Sequence, residues 1–336
     1  MKALAVILGL SGLVLTKDEK QFFKDVDPWA FILFSRNIES PEQVKTLCAD
    51  LRETVGRNCL IFVDQEGGRV QRLKTPHWPI YPPASNFGEI YKTDKALGRK
   101  ASFLAYRLIA DDLRAVGITA DCAPILDLPQ EGADPIISDR AFSSDVNPIV
   151  DMAHACMAGL MMGGVAPVVK HIPGHGRATV DSHKALPVIS ESKAILTDSD
   201  FLTFKALNDA PMAMTAHAVY TDCSKTAVTV SQKAMRELIR EDIGFDGLVM
   251  SDDLDMKALT GTLTTKTERA LKAGCDIALQ CSGQLEDMIK VAKGASTLSG
   301  RALERAIIAD TCAMHIQDFD RDAGEHEFAA LMKHVS

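Results

Sequence analysis

Val165-Ala166-Pro167-Val168-Val169 passes directly into Lys170-His171-Ile172-Pro173-Gly174-His175-Gly176, and Asp181-Ser182-His183 follows within a few residues. The apolar run has the length and composition of a buried parallel strand. It ends in a dense polar cluster, with three histidines, a lysine and a carboxylate between Lys170 and His183. Pro173 removes a backbone donor, and Gly174 and Gly176 permit unusual dihedrals, so the segment after His171 reads as an ordered loop rather than a helix.

Working outward, similar short apolar runs recur at Leu4-Leu8, Ala30-Phe34, Leu60-Val63, Ile118-Asp121, Met212-Thr215, Leu248-Ser251 and Ile277-Gln280. Together with the first run they make eight strand candidates. Between them lie amphipathic stretches that predict helices over Pro41-Val55, Lys95-Val116, Pro148-Met162, Asp198-Asn208, Ser231-Ile243 and Thr264-Lys272. Ser40-Pro41 and Ser231-Gln232 are helix-start signals. Eight alternating units predict an α/β fold, a (β/α)8 TIM barrel. An open doubly wound sheet is the rival, but its glycine-rich phosphate fingerprint is absent and Gly9-x-x-Gly12 does not replace it. No low-complexity segment or long linker marks a boundary, so residues 1–336 are expected to form a single domain, with a charged peripheral tail from about Gln317.

The composition narrows the function. At 336 residues, 46% hydrophobic and 24% charged, the chain is that of an ordinary globular protein. A net charge of −8 and the lack of any basic run argue against nucleic acid or an anionic membrane as partner. The eight cysteines are scattered with no C-x-x-C pair, and read as free thiols in a reducing cytoplasm. Met1-Lys2 and the apolar run Ala3 to Leu15 have the look of a short signal peptide. No small-x-small cleavage site precedes Lys17-Asp18-Glu19-Lys20, and the barrel needs this segment as its first strand.

Barrel enzymes carry their chemistry at the C-terminal ends of the strands. Six of the eight runs close on polar groups: Arg36-Asn37, Asp64-Gln65-Glu66, Asp121, Lys170-His171, His217 and Asp252-Asp253. Strand side chains alternate, so only one of Asp252 and Asp253 can face the barrel mouth, and periodicity alone does not say which. A carboxylate there, among Lys, Arg and His, would stay ionised and could attack an electrophilic carbon. Asp181 two residues before His183 can accept the ring proton, as in the Asp-His half of a triad. The two features together supply a nucleophile and a general acid/base. A metal site built from His171, His175 and His183 is the alternative, although Pro173-Gly174 makes the required helix improbable.

These motifs taken together resemble the bacterial β-N-acetylhexosaminidases of glycoside hydrolase family 3, and within it the single-domain cytoplasmic enzymes of the NagZ type. The residues that carry the resemblance are Phe31 to Asn37, Asp64 to Arg72, Lys170 to Gly176 with Asp181-Ser182-His183, and Ser251-Asp252-Asp253-Leu254. It runs from the first strand to about Cys281. Ile172 stands where a Phe is common, and Arg177 to Val180 are one variant of a variable connector.

The resemblance implies a retaining exo-β-N-acetylglucosaminidase. Asp252 would be the nucleophile, His183 the acid/base, and Asp181 its support. Asp64, Arg72, Arg140, Lys170 and His171 would grip the sugar hydroxyls before the cleaved bond, with no metal and no cofactor. His175 is expected to serve loop structure by hydrogen-bonding backbone near the glycines. Pro173 and the glycines would form a hinge between sugar binding and proton transfer. The implied substrate is the N-acetylglucosaminyl-1,6-anhydro-N-acetylmuramic acid fragment of peptidoglycan recycling, with or without peptide, and the implied form is a cytoplasmic monomer. The other readings are a metal-dependent hydrolase and a non-catalytic sugar-binding barrel.

Overall fold

A computed structural model describes residues 2–335. Among these residues ten strands occur in chain order: β1 (Leu4–Leu8), β2 (Pro28–Ile32), β3 (Ile61–Val63), β4 (Ala120–Asp121), β5 (Ala166–Ile172), β6 (Val188–Ile189), β7 (Met212–Thr215), β8 (Val219–Tyr220), β9 (Leu248–Asp253) and β10 (Ile277–Gln280). Eight of them close a parallel barrel in the order β1-β2-β3-β4-β5-β7-β9-β10, and β6 pairs with β8 outside it. This is the expected (β/α)8 architecture, and the apolar N-terminal run is its first strand.

Two strands run further than their apolar residues suggest. β5 continues through Lys170 and His171 to Ile172, and β9 includes both Asp252 and Asp253. Neighbouring strands extend the ladder past the last hydrophobic residue: Lys170 pairs with Met214, and Asp253 with Leu279. The peptide bonds Lys170–His171 and Ile172–Pro173 are cis.

The barrel interior is filled from alternate positions, among them Ile7, Ile32, Phe62, Val168, Met214, Met250 and Leu279. The intervening residues, such as Phe31, Ile61, Val169 and Val249, pack outward under the helices. At the N-terminal end, Ala306 and Ala309 of helix Gly300–Cys312 join the interior cluster and close the bottom. Charged and polar groups are thereby left the opposite rim.

The helices follow their local chemistry. Thr16 and Glu19 form a reciprocal capping box that starts helix Lys17–Val26. The buried Glu19 carboxylate also accepts the Ser11 N–H at 2.9 Å, which fixes the loop after β1. Ser40 caps helix Pro41–Val55, as its sequence implies. The stretch Asp198–Asn208 instead contains Asp200–Ala206 preceded by a separate short helix, Lys193–Thr197. Ser231 caps a turn that continues as a π-helix over Met235–Asp242. Past Gln317, Arg321–Leu331 is helical and docks on Lys95–Ala115, with Phe328 against Tyr81 and Phe87, and an Arg321–Asp112 ion pair at 2.8 Å. All eight cysteines are free. Among the described residues, no helix is long and apolar enough to cross a membrane.

Candidate active site

The inward alternation of the strands carries on into the barrel mouth. The positions after Phe62, Val168, Met250 and Leu279 are Asp64, Lys170, Asp252 and Cys281, and all four line a cleft of about 200 Å³. The register therefore makes Asp252 the carboxylate that continues the inward series of the strand, with Asp253 beside it in the lining.

Lys170 forms the floor. Its side chain is buried, with Nζ 3.1 Å from Asp64 Oδ1 and 2.5 Å from Glu66 Oε1. Arg72 reaches the other oxygen of Asp64 at 3.0 Å. Arg140 grips Glu66 with two parallel bonds of 2.8 Å, the bidentate geometry that guanidinium favours. Burial alone would raise both acids, but Lys170 with Arg72 holds Asp64 well below the usual range, and Lys170 with Arg140 holds Glu66 at about 2. Burial pulls the Lys170 ammonium down, and Glu66 and Asp64 more than offset it, so the lysine stays charged. The network is a rigid, ionised cradle of directional donors and acceptors.

His171 is oriented from behind. Its Nδ1 lies 2.7 Å from Oδ2 of Asp127, a carboxylate with no solvent exposure. The other oxygen of Asp127 accepts the backbone N–H of His171 at 3.2 Å and of His175 at 2.6 Å. Burial works to raise this acid, but His171 and the hydrogen bonds it accepts hold it below its ordinary value. An ionised Asp127 accepts a hydrogen bond from Nδ1–H, so Nε2 of His171 is the nitrogen left for the cleft.

Gly174 has φ +134, and a Cβ on Gly176 would sit 2.0 Å from the Leu128 carbonyl oxygen. Residues Pro173 to Gly176 are buried, and Tyr220 Oη donates to the Gly174 carbonyl at 2.5 Å. This stretch is fastened at several points and has no slack for the expected hinge. Solvent exposure begins later, around Thr179. The expectation for the His175 ring also fails. Its backbone N–H makes the bond to Asp127, while neither ring nitrogen has a partner among the described residues.

At the far wall, Asp252 Oδ1 accepts the N–H of Asp253 at 2.7 Å. Burial opposes ionisation, but the imidazoles of His217 and His171 and the Asp253 N–H bring the Asp252 carboxyl below its usual value. Asp253 also lines the cleft, but its Oδ1 ties the loop, accepting from the N–H groups of Asp255 and Cys281 at 3.1 Å each. Burial and the neighbouring Asp255 push its carboxyl up to about 7. His217 Nε2 lies 3.0 Å from the Asp253 carbonyl, and Nδ1 lies 2.8 Å from Thr229 Oγ1. A carbonyl only accepts, so Nε2 carries a proton, while the Thr229 hydroxyl donates to the Ala216 carbonyl at 3.2 Å and burial holds the His217 ring below its ordinary value. It braces the Asp252–Asp253 backbone.

The Asp181–His183 pair sits on the loop after β5. Asp181 Oδ1 accepts the His183 backbone N–H at 2.9 Å and lies 2.8 Å from its Nδ1. The His183 side chain is 66% exposed, yet it lines the same cleft as Asp252. The loop is tied back into the fold by β6, which pairs with β8 through Val188 and Val219.

The structure thus brings Asp64, Arg72, Arg140, Lys170, His171, His183 and Asp252 to one cleft, with Asp181 behind His183. Of the other strand ends, Asp121 lies outside the cleft. Its Oδ1 accepts the Gln65 N–H at 2.9 Å, and burial pushes its carboxyl up to about 7. Arg36 donates from Nε to the Leu10 carbonyl at 2.7 Å and braces the rim. Among the described residues, no three His, Cys, Asp or Glu side chains are grouped to hold a metal ion. Glu66, Asp127 and His217 complete the site, and none of them stood among the sequence-derived site residues. Glu66 lay within the quoted Asp64 to Arg72 motif and His217 at a strand end, whereas Asp127 had no local signal.

Comparison with known proteins bears on the family and the fold. The glycosyl hydrolase family 3 N terminal domain matches residues 8–310. A protein of Thioalkalivibrio sulfidiphilus named Beta-hexosaminidase is 38% identical over 281 residues, covering 82% of this chain and 80% of that one. A Beta-hexosaminidase of Methylobacillus flagellatus is 36% identical over the same shares. Among solved structures, NagZ from Neisseria gonorrhoeae in complex with N-trifluoroacetyl-D-glucosamine superposes with a TM-score of 0.87 at 28% identity, covering 100% of this chain and 99% of that one. By the family match over most of its length and by these relatives, the chain belongs to glycosyl hydrolase family 3.

Proposed function

We propose that this β-hexosaminidase of family 3 is a retaining exo-β-N-acetylglucosaminidase that works through a covalent glycosyl-enzyme. The observation that carries the reading is the placement of Asp252. It is the inward carboxylate of β9, across the cleft from the Asp64–Lys170 cradle and within one cavity with His183. Lys170, Arg72 and Arg140 donate to the sugar, Asp64 accepts, and His171 contributes through Nε2. Charged partners make stronger and more directional bonds to hydroxyls than neutral ones.

In the first step an Asp252 oxygen attacks C1 and the C1–O bond to the leaving group breaks. The departing oxygen takes a proton from His183, whose Nδ1 remains bonded to Asp181. In the second step His183 removes a proton from water, the water oxygen attacks C1, and the C1–Asp252 ester bond breaks. Two inversions give net retention. His183 serves as both acid and base: it enters the first step as an imidazolium stabilised by Asp181, stands neutral in the glycosyl-enzyme, and regains its proton in the second step.

The substrate proposed is the N-acetylglucosaminyl-1,6-anhydro-N-acetylmuramic acid fragment, with or without peptide, released in cell-wall recycling, and the enzyme is proposed to act on it as a cytoplasmic monomer. The resemblance of the motifs supports this assignment. The test is product analysis with that fragment and with an aryl N-acetylglucosaminide, following the anomer by NMR. Free N-acetylglucosamine appearing first as the β-anomer is expected, and first appearance of the α-anomer would exclude the covalent route.

A further inference from the structure

Nearly all buried polar atoms in folded proteins have hydrogen-bond partners, so a buried group without any asks for an explanation. His175 is 5% exposed and lines the cleft, and neither Nδ1 nor Nε2 has a partner among the described residues. The residue is nevertheless fixed. Its N–H donates to Asp127 at 2.6 Å, its carbonyl accepts from Ala178 N–H at 3.1 Å, and Gly176 beside it abuts Leu128. The ring lies 5.8 Å from that of His171. A rigid backbone therefore holds a ring at the cavity wall whose two polar atoms are buried and unspent, and rotation about its side-chain bonds would turn one of them to a ligand.

The chemistry of that ring differs from its neighbours. Lys170, Arg72 and Arg140 only donate, and Asp64 and Asp252 only accept. Burial and the adjacent His171 bring the His175 imidazolium down to about 4, so the ring is neutral at neutral pH. A neutral imidazole offers one donor and one acceptor, which matches a hydroxyl, a group that also does both. Leaving such a ring unpaired is unfavourable, and a bound hydroxyl removes that cost.

We propose that His175 is a further substrate-contacting residue, whose imidazole hydrogen-bonds one ring hydroxyl of the sugar held before the cleaved bond. The proposal rests on the glycosidase reading above and deepens it. It gives the second histidine of His171-Ile172-Pro173-Gly174-His175 a part in sugar selection rather than in loop structure.

The test is a cycle between enzyme and substrate. The wild type and His175→Ala are compared on an aryl N-acetylglucosaminide and on the analogues that lack, one at a time, the hydroxyl on C3, C4 or C6. With the parent substrate the variant is expected to lose about 10- to 100-fold in kcat/KM, the loss of one hydrogen bond in a desolvated site. With one analogue the two enzymes should converge to within about threefold, because the partner of the ring is already gone. His175→Gln, neutral and able to donate and accept, should recover part of the loss. The same wild-type-to-variant ratio on all four substrates overturns the contact. So does a His175→Phe variant that keeps full activity and gains thermal stability, the outcome expected of a ring that touches no sugar. If His175→Ala does not fold, the cycle is run with His175→Phe. Failure of the wild type to turn over the parent substrate instead overturns the glycosidase reading itself.

Discussion

Nδ1 of His171 lies 2.7 Å from Oδ2 of Asp127, and the other oxygen of the same carboxylate receives two backbone N–H groups. One buried acid thus sets both the tautomer of His171 and the path of the loop that follows it. In Asp127→Asn the amide oxygen is still needed by the backbone donors, so the NH2 group faces His171. Nδ1 must then accept, the ring proton moves to Nε2, and the edge facing the sugar changes from acceptor to donor. The expected result is a fall in kcat/KM of about 10²-fold or more with the chain still folded, by analogy with tautomer inversion in a triad. An Asp127→Asn enzyme with unchanged kcat/KM and a His171 ring still protonated on Nδ1 by NMR would contradict this.

Glu66 is expected to matter for stability as well as for binding. It sits between the buried Lys170 and the mostly buried Arg140, so removing it leaves cations without full compensation. Glu66→Ala should cost about 3–5 kcal/mol in denaturant unfolding, the range for breaking a buried pair from one side. The pH dependence has a definite sign. The Glu66 carboxyl is at about 2 in the folded protein against an ordinary 4.5, so its stabilisation is complete above 4.5 and drains away as pH falls towards 2. The stability gap between wild type and Glu66→Gln should therefore narrow over that interval. A gap that stays constant through it would remove Glu66 from the acid response.

The barrel and most of the cleft were legible because apolar runs, helix caps and strand-end polar groups are local signals. The choice between Asp252 and Asp253 was not legible. β9 is buried on both faces, with Leu248 and Met250 inside and Val249 under the helices, so no polar alternation distinguishes the two sides. Asp127 was missed because it lies in irregular backbone after β4, and its function comes from bonds to residues more than forty positions away. The His175 ring was misassigned for a related reason. Its sequence neighbours suggest backbone contacts, but Asp127 satisfies the main chain and leaves the ring free. Helix Lys17–Val26 was absent from the predicted helices although Thr16-x-x-Glu19 is a capping-box spacing that marks its start.

Asp252→Asn should separate binding from chemistry. The amide keeps the shape and can still accept the Asp253 N–H, so the cradle of Asp64, Lys170 and Arg72 remains intact. Turnover of an aryl N-acetylglucosaminide should fall by a factor on the order of 10⁴ or more, as for loss of a nucleophile elsewhere. Affinity for N-acetylglucosamine by calorimetry should change by less than about tenfold. Turnover close to wild type would move the nucleophile to another residue.

The role of His183 can be read from the leaving group. Its ring is held through Nδ1 by Asp181, and the side chain is largely exposed, so His183→Ala removes the proton donor while disturbing little packing. An aryl group with an acidic phenol departs without protonation, whereas a sugar alcohol does not. The variant should therefore lose about 10²–10⁴-fold in kcat/KM on the natural disaccharide, and distinctly less on the activated aryl substrate. Its second step still lacks a base, so the glycosyl-enzyme should accumulate on the aryl substrate and appear as a burst of released phenol, or as an added mass on the peptide bearing Asp252. Small nucleophiles such as azide, which need no deprotonation, should restore turnover by intercepting that intermediate. Equal losses on both substrates, with no burst and no rescue by azide, would show that the proton comes from another group.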